Sequence, residues 1–412
     1  MIIDFRKLIT TSSLPALILC VSFVYSSQFI LRLPHDLKSF FPYFPYIIFI
    51  IGIVLSWIFH HCREFNLLLL QLVLFIAVQQ YHWTTNAAVD QQYAFLLLTL
   101  LIPVNYAINA FSRERGILNH YGIRRFVYLG IQLFLIAWLL ENPVKSIKYA
   151  LTYKIFENDI FNVTLISQPI LLTIIFLAFI FLIKTIKNPT YLNSGTITSL
   201  IIITTAMHYI AHPAISIFYF SIAGILIIVS ITLNAYSLAY IDELTNLPSR
   251  RALKQNMDSL GKRYAIAMID IDFFKKFNDK YGHDIGDQVL RMLSSHLRNV
   301  RGGKAFRYGG EEFTIVFQGK TIDEARLTCE NLCKKIAATP FILRGKKRPK
   351  NITASNTEVK KSAQQKELKI TISIGLAERN DVTSIATEVM KQADNALYKA
   401  KKAGRNRVAI SD

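Results

Sequence analysis

Apolar positions form long unbroken runs over the first part of the chain and short alternating or helically spaced sets over the rest. A run needs about 20 residues to cross a bilayer as a helix. Runs of that order lie near 13–33, 43–60, 66–83, 92–111, 123–140, 162–184, 196–212 and 214–236, which predicts about eight spanning helices. Only Ala211-His212-Pro213 separates the last two, as a tight hairpin or within one re-entrant element. Leu233–Tyr240 then runs straight into Ile241-Asp242, so a helix is expected to lead without a break into the C-terminal part of the chain.

After that point the pattern changes period. Tyr264–Ile269 and Ile370–Leu376 read as strands, and Ala305–Tyr308 with Phe313–Phe317 as a hairpin across a Gly-Gly turn. Phe273–Tyr281, Asp287–Leu297, Ile322–Ala338 and Ile385–Ala403 have helical spacing. Arg344–Lys369 fits neither period and holds nine Lys/Arg against two Glu, so it is expected to be a flexible basic insertion. The expected architecture is an α-helical polytopic membrane domain over 1–238, a sensor or anchor, followed by an α+β domain over 239–412 with a central, mostly antiparallel sheet.

Charge supports the division. Residues 1–238 hold 14 Lys+Arg and 8 Asp+Glu, whereas 239–412 hold 33 and 20. A basic soluble domain suits an anionic partner, or simply a solvated surface. With the N-terminus inside, the inner segments carry nine Lys/Arg and the outer ones five, which places the C-terminal domain in the cytoplasm. The first apolar run lacks a small-residue cleavage pattern and is expected to be a spanning helix. The outer segment Glu141–Phe161 is expected to be an amphipathic surface helix or a plain loop. Cys329 and Cys333 sit four apart on one helix, a poor geometry for a disulfide, and all four cysteines are expected to be reduced. His208 and His212 have helical i, i+4 spacing, which suits packing or, less simply, haem or metal binding.

Two features carry chemistry. Asp270-Ile271-Asp272 ends an apolar strand, where carboxylates can ligate Mg²⁺ beside a phosphate. Phe273-Phe274-Lys275 then opens a helix whose free N–H groups suit a phosphate, with Lys275 as a point charge. Gly309-Gly310-Glu311-Glu312 combines a bare backbone with two acids. If the hairpin lies beside the Asp270 strand, the carboxylates converge.

These segments, with Asp242–Arg251, Tyr281–Asp287, Ile372–Gly375, Ala393-Asp394 through Lys401, and Arg405-Asn406, resemble the GGDEF family of diguanylate cyclases in its Gly-Gly-Glu-Glu-Phe form. Ser249 stands where the family usually has Asn. The resemblance covers residues 240–410 and implies a cyclase-like fold and an enzyme, a nucleotidyltransferase that condenses two GTP into cyclic di-GMP and two pyrophosphates. It implies Mg²⁺, or Mn²⁺ in its place, held by Asp270, the Ile271 carbonyl, Glu311 and Glu312. Glu312 alternatively helps deprotonate the attacking hydroxyl. Asn278 and Asp287 would read guanine, and Phe273, Phe274, Lys275, Lys401 and Arg405 would hold phosphates. A homodimer brings two GTP together, with Gly309, Gly310, Glu311 and Glu312 at its interface. A bacterial inner-membrane location is implied as well, with no nucleic acid as partner. The alternative is a silent domain that only receives a nucleotide. One departure stands out: Val300 and Gly303 occupy the positions of the family's inhibitory Arg-x-x-Asp product site, so product inhibition through it is expected to be absent or weak. Lys346–Lys350 could touch anionic lipid.

Overall fold

The computed structural model describes residues 5–32, 34–80, 89–112, 116–157, 164–343, 366–380 and 385–411. It divides into two compact units between Tyr236 and Ser237, close to the border that the change of period suggests.

Among its described residues, the regular structure of the first unit is all helical. Its long helices are α1 (Phe5–Arg32), α3 (Phe44–Ile58), α4 (Cys62–Gln80), α5 (Val89–Phe111), α6 (His120–Glu141), α8 (Gln168–Lys187), α9 (Tyr191–His208) and α10 (Pro213–Tyr240), and α2 (His35–Phe40) and α7 (Lys145–Thr152) are short. Each of the eight apolar runs has become a helix. Seven helices among the described residues are long and apolar enough to cross a membrane. The exception is α9, where Asn193, Ser194, Thr196, Thr198 and Ser199 dilute the apolar content and are buried against neighbouring helices. Small residues permit that close packing, as a Cβ at Gly195 would collide with the Ser230 hydroxyl on α10. Glu141–Phe161 contains α7, a short helix with Leu151 buried.

Pro213 starts α10, so a tight turn over Tyr209–His212 joins the helices of the last two apolar runs. The turn also corrects the expectation for the histidines. His208 ends α9 and His212 lies beyond it, its N–H bonded to the Tyr209 carbonyl at 2.8 Å. They do not share a helix face. The Tyr209 ring is 4.6 Å from His208 and 6.4 Å from His212. Among the described residues no three His, Cys, Asp or Glu side chains gather as for a metal.

In the second unit a five-stranded sheet runs in the order β2-β3-β1-β6-β7, with β1 (Tyr264–Ile271), β2 (Lys304–Arg307), β3 (Glu312–Gln318), β6 (Ile372–Glu378) and β7 (Val408–Ile410). All pairings are antiparallel except β6 with β7. Every residue of β1 is buried because helices cover both faces. Alternation sends Ala265, Ala267, Ile269 and Ile271 into one core and Tyr264, Ile266 and Met268 into another. The first core takes α12 (Phe274–Tyr281), α13 (His283–Leu297) and α14 (Ile322–Ala338). The opposite face takes α11 (Arg250–Asp258) and α15 (Ala386–Lys402). Cys329 and Cys333 are free and buried in the first core, and burial drives both thiol pKa values up.

Two boundaries differ from expectation. Helix α13 begins at His283, which brings Asp287 into its second turn. The stretch read as a loop to Lys369 ends in a strand, β5 (Lys366–Lys369), paired with β4 (Pro340–Leu343). Leu368 contributes apolar surface to that pair, and its lysine neighbours hid the alternation. Residues 344–365, including Lys346–Lys350, lie outside the described residues.

Candidate active site

The site is assembled where β1 ends. Asp270 is its second-last residue and lies opposite Glu312 of β3 and Ser373 of β6. Its side chain is 7% exposed, and its Oδ2 is 2.8 Å from Lys401 Nζ. Burial raises the Asp270 pKa, and Lys401 only partly offsets that. Glu311 in the adjoining turn is also pushed up, first by burial and then by the Asp270 charge. Carboxylates that resist ionisation in this way are short of positive charge.

The hairpin turn is held from inside. The N–H groups of Tyr308 and Gly309 both donate to the Glu312 carbonyl, at 2.9 and 3.1 Å. Arg307 donates to the Gly309 carbonyl at 3.1 Å and to the Gly310 carbonyl at 2.9 Å. Its third contact is Asp242 Oδ1 at 2.8 Å, and that oxygen also accepts from the N–H and hydroxyl of Thr245. Neither Gly309 nor Gly310 has positive φ, so the turn does not require glycine for its backbone angles. A Cβ on Gly309 would stand 2.8 Å from Glu312 Oε2, whereas one on Gly310 would meet open space. The second glycine leaves the backbone bare toward a ligand rather than relieving strain.

The carboxylates of Asp270 and Asp272 do different work. Asp272 accepts hydrogen bonds from the hydroxyls of Thr371 and Ser373, both at 2.7 Å, and from the Asn406 N–H at 3.0 Å. It ties the end of β1 to the loop that carries Arg405. Three non-glycine residues here have left-handed backbones: Phe273 (φ 58°), Arg405 (φ 63°) and Asn406 (φ 46°). Such positions cost free energy and cluster at functional sites. The Arg405 guanidinium lies 4.2 Å above the Phe273 ring. Lys401 reaches Asp270 because α15 packs tightly on β6, where a Cβ on Gly375 would collide with the backbone of Ala393 and Leu397.

Asn278 on α12 has its Oδ1 buried with no hydrogen-bond partner. Gly286 lies against that oxygen, where a Cβ would collide with it, and Asp287 is the next residue. An orphaned acceptor beside a half-buried carboxylate suits a ligand that carries N–H donors. Lys275 is exposed, whereas the Phe274 side chain is buried in the core, leaving only its backbone to meet a ligand.

Oxygen donors that lack compensating charge suit a hard divalent cation. Asp270 and Glu311 fit that description, and the Lys401 ammonium partly fills the need. The contacts of Arg307 with Asp242 and of Asp272 with Thr371 and Ser373 were not foreseen from sequence, although all five residues lie in or next to the segments that carry the resemblance.

The sequence model of the family described as "Diguanylate cyclase, GGDEF domain" matches residues 239–357 and 355–407. Response regulator PleD of Caulobacter vibrioides is 35% identical over 184 residues, covering 42% of this chain and 37% of PleD. Diguanylate cyclase VdcA of Vibrio cholerae is 34% identical over 175 residues, covering 41% of this chain and 46% of VdcA. The chain thus spans less than half the length of these relatives. Among solved structures, the coiled coil and GGDEF domain of DgcB from Caulobacter crescentus, in complex with c-di-GMP, is 31% identical, covering 43% of this chain and 89% of that one, with a TM-score of 0.37. Residues 239–407 thus form a domain of the family described as diguanylate cyclase GGDEF domain.

Proposed function

We propose that the second unit condenses two GTP into cyclic di-GMP with release of two pyrophosphates. The observation that carries this reading is the pair of carboxylates short of positive charge, Asp270 and Glu311, with Lys401 against Asp270 and Glu312 opposite Asp270 in the strand register. It lies in the same unit as the orphaned Asn278 acceptor beside Asp287. Guanine is the base whose edge offers a ring N–H and an exocyclic amine to a carboxylate and an amide oxygen.

Asp270, the Ile271 carbonyl and Glu311 are the oxygens that would hold Mg²⁺, with Glu312 beside them. When bound, the ion lowers the pKa of the attacking hydroxyl and offsets charge on the leaving group. The chain's own groups do the rest. Asn278 and Asp287 orient each guanine, and Lys275, Lys401, Arg405 and the backbone of Phe273 and Phe274 hold phosphate oxygens. Glu312 joins the metal ligands or takes the proton of the 3′-hydroxyl. The oxygen of one GTP attacks the α-phosphorus of the other, the bond to pyrophosphate breaks, and a second such step closes the ring. One domain holds one GTP, so two domains must face each other through their Gly309–Glu312 turns. The membrane unit would anchor the chain in the bacterial inner membrane, with the cyclase domain in the cytoplasm, and regulate that encounter. Incubating the purified full chain with GTP and Mg²⁺ tests the proposal. Cyclic di-GMP should accumulate and should vanish in Glu311→Ala, and failure to form it at any protein concentration would overturn the reading.

A further inference from the structure

Helix α12 has a second concave flank, away from Asn278. There its Lys276, Phe277, Lys280 and Tyr281 side line a groove of about 300 Å³ with Lys369 and Thr371, reaching Asp272 and Phe273 at one end. That volume is at the lower bound of small-molecule sites. Ile271, Phe273 and Phe274 at that end also belong to the proposed substrate site, whereas Lys275, Asn278, Asp287, Lys401 and Arg405 do not line the groove, so it adjoins the substrate site and its lysine-aromatic part lies outside it. Its one carboxylate, Asp272, already accepts three hydrogen bonds from within the fold. The charge left to the groove comes from three exposed lysines. None of them has a carboxylate partner among the ion pairs of the described residues. Lys280 instead lies over the Tyr281 ring at 5.4 Å and Lys276 over the Phe273 ring at 5.5 Å. The Phe277 and Tyr281 rings are 4.9 Å apart and half-buried, fixed from behind by Phe341 at 6.1 Å from Phe277.

Lysines beside anchored aromatic rings form a site for a flat aromatic group that carries phosphate. We propose that this groove binds a nucleoside phosphate other than the substrate. A bare phosphate would leave the rings unused, and an apolar ligand would leave three ammonium groups unmatched. Because α12 carries Asn278 on one flank and the groove on the other, an occupant would bear on the helix that orients GTP.

The test uses the full chain in detergent, with ADP as the probe because its adenine lacks the guanine edge that Asn278 and Asp287 would read. Binding is followed by saturation-transfer NMR and calorimetry. The wild type should bind ADP, and the doubly reversed Lys280→Glu/Lys369→Glu chain should bind it about tenfold more weakly with an unchanged melting temperature. Glu311→Ala should bind ADP as the wild type does. That separates this site from the cyclase reading, since loss of cyclic di-GMP synthesis with intact ADP binding would count only against the latter. Three results would overturn the proposal: ADP binding unaffected by the charge reversals, equal affinity for ribose 5-phosphate, or equal displacement by a short-chain phosphatidylglycerol. The last would mark a lipid headgroup site.

Discussion

At the residue scale, the site depends on where side chains are missing. Gly310 has an ordinary backbone angle and open space where its Cβ would stand, so glycine is not needed there for folding. Gly310→Ala should therefore change stability by no more than about 0.5 kcal/mol. It should nevertheless lower cyclase activity more than tenfold, because the added methyl enters the space proposed for substrate. Gly303 is the opposite case. A Cβ there would stand 2.5 Å from Ile315 Cγ2 and 2.7 Å from Phe317 Cε1, inside the core of the hairpin. Gly303→Asp, the change that would begin to rebuild the product site, should cost about 2–3 kcal/mol by overpacking and burying a charge. Titration with cyclic di-GMP should find the wild type free of inhibition through this position and the variant destabilised rather than braked. The sequence made the Gly-Gly pair and the vacancy at 303 legible. It did not show that the first reflects access and the second crowding, because φ and neighbouring contacts are properties of the folded chain.

Charge at the same scale gives a second kind of prediction. Folding raises the pKa of Asp270 and Glu311, chiefly by burial. The folded domain therefore binds these protons more tightly than the unfolded chain, and without metal its stability falls as pH rises through the window that opens near the ordinary carboxylate pKa of about 4. Glu311→Gln removes one of the crowded charges. In chelator at pH 7 it should melt a few degrees higher than the wild type, while cyclase activity is lost. Added Mg²⁺ should raise the wild-type melting temperature and raise that of the variant much less. A variant that melts lower than the wild type in chelator would contradict the charge argument.

At the element scale, the Gly309–Glu312 turn is fastened to the segment that opens the second unit. Arg307 spans the Gly309 and Gly310 carbonyls and Asp242, and its own N–H donates to the Pro248 carbonyl at 2.8 Å. Arg307→Ala should reduce kcat at least tenfold with a smaller change in KM, since the turn is loosened while the groups proposed to hold GTP remain. Asp242→Asn should have a lesser effect, and the double variant should be less than additive, by about 1 kcal/mol in ΔΔG‡. Independent effects would refute the connection. The strands and helices around this fastening could be read from their periods because each buries one face. Strand β5 could not, since its lysines mask a short edge pairing, and Asp242 was visible only as part of a motif without a partner. A contact 65 residues apart in sequence leaves no periodic trace.

At the scale of the whole molecule, the question is what sets the rate at which two sites meet. The second unit has its own buried clusters on both faces of its sheet, so it is equipped to fold apart from the helical unit. The proposed chemistry needs two GTP-loaded domains facing each other, and with Val300 and Gly303 at the positions of the family's product site, inhibition through it is expected to be absent or weak. Control then rests on encounter. In free solution, encounter depends on concentration, whereas chains held in one bilayer are confined at high effective concentration. The excised 237–412 unit should therefore show a specific activity that rises with enzyme concentration, approaching proportionality while monomers dominate. Fusing it to a parallel coiled coil should remove that dependence and raise activity at nanomolar enzyme. The full chain reconstituted in vesicles should respond to protein-to-lipid ratio rather than to bulk concentration. If the excised unit keeps a constant specific activity down to concentrations at which it sediments as a monomer, two facing domains are not required, and the membrane unit must act by another route.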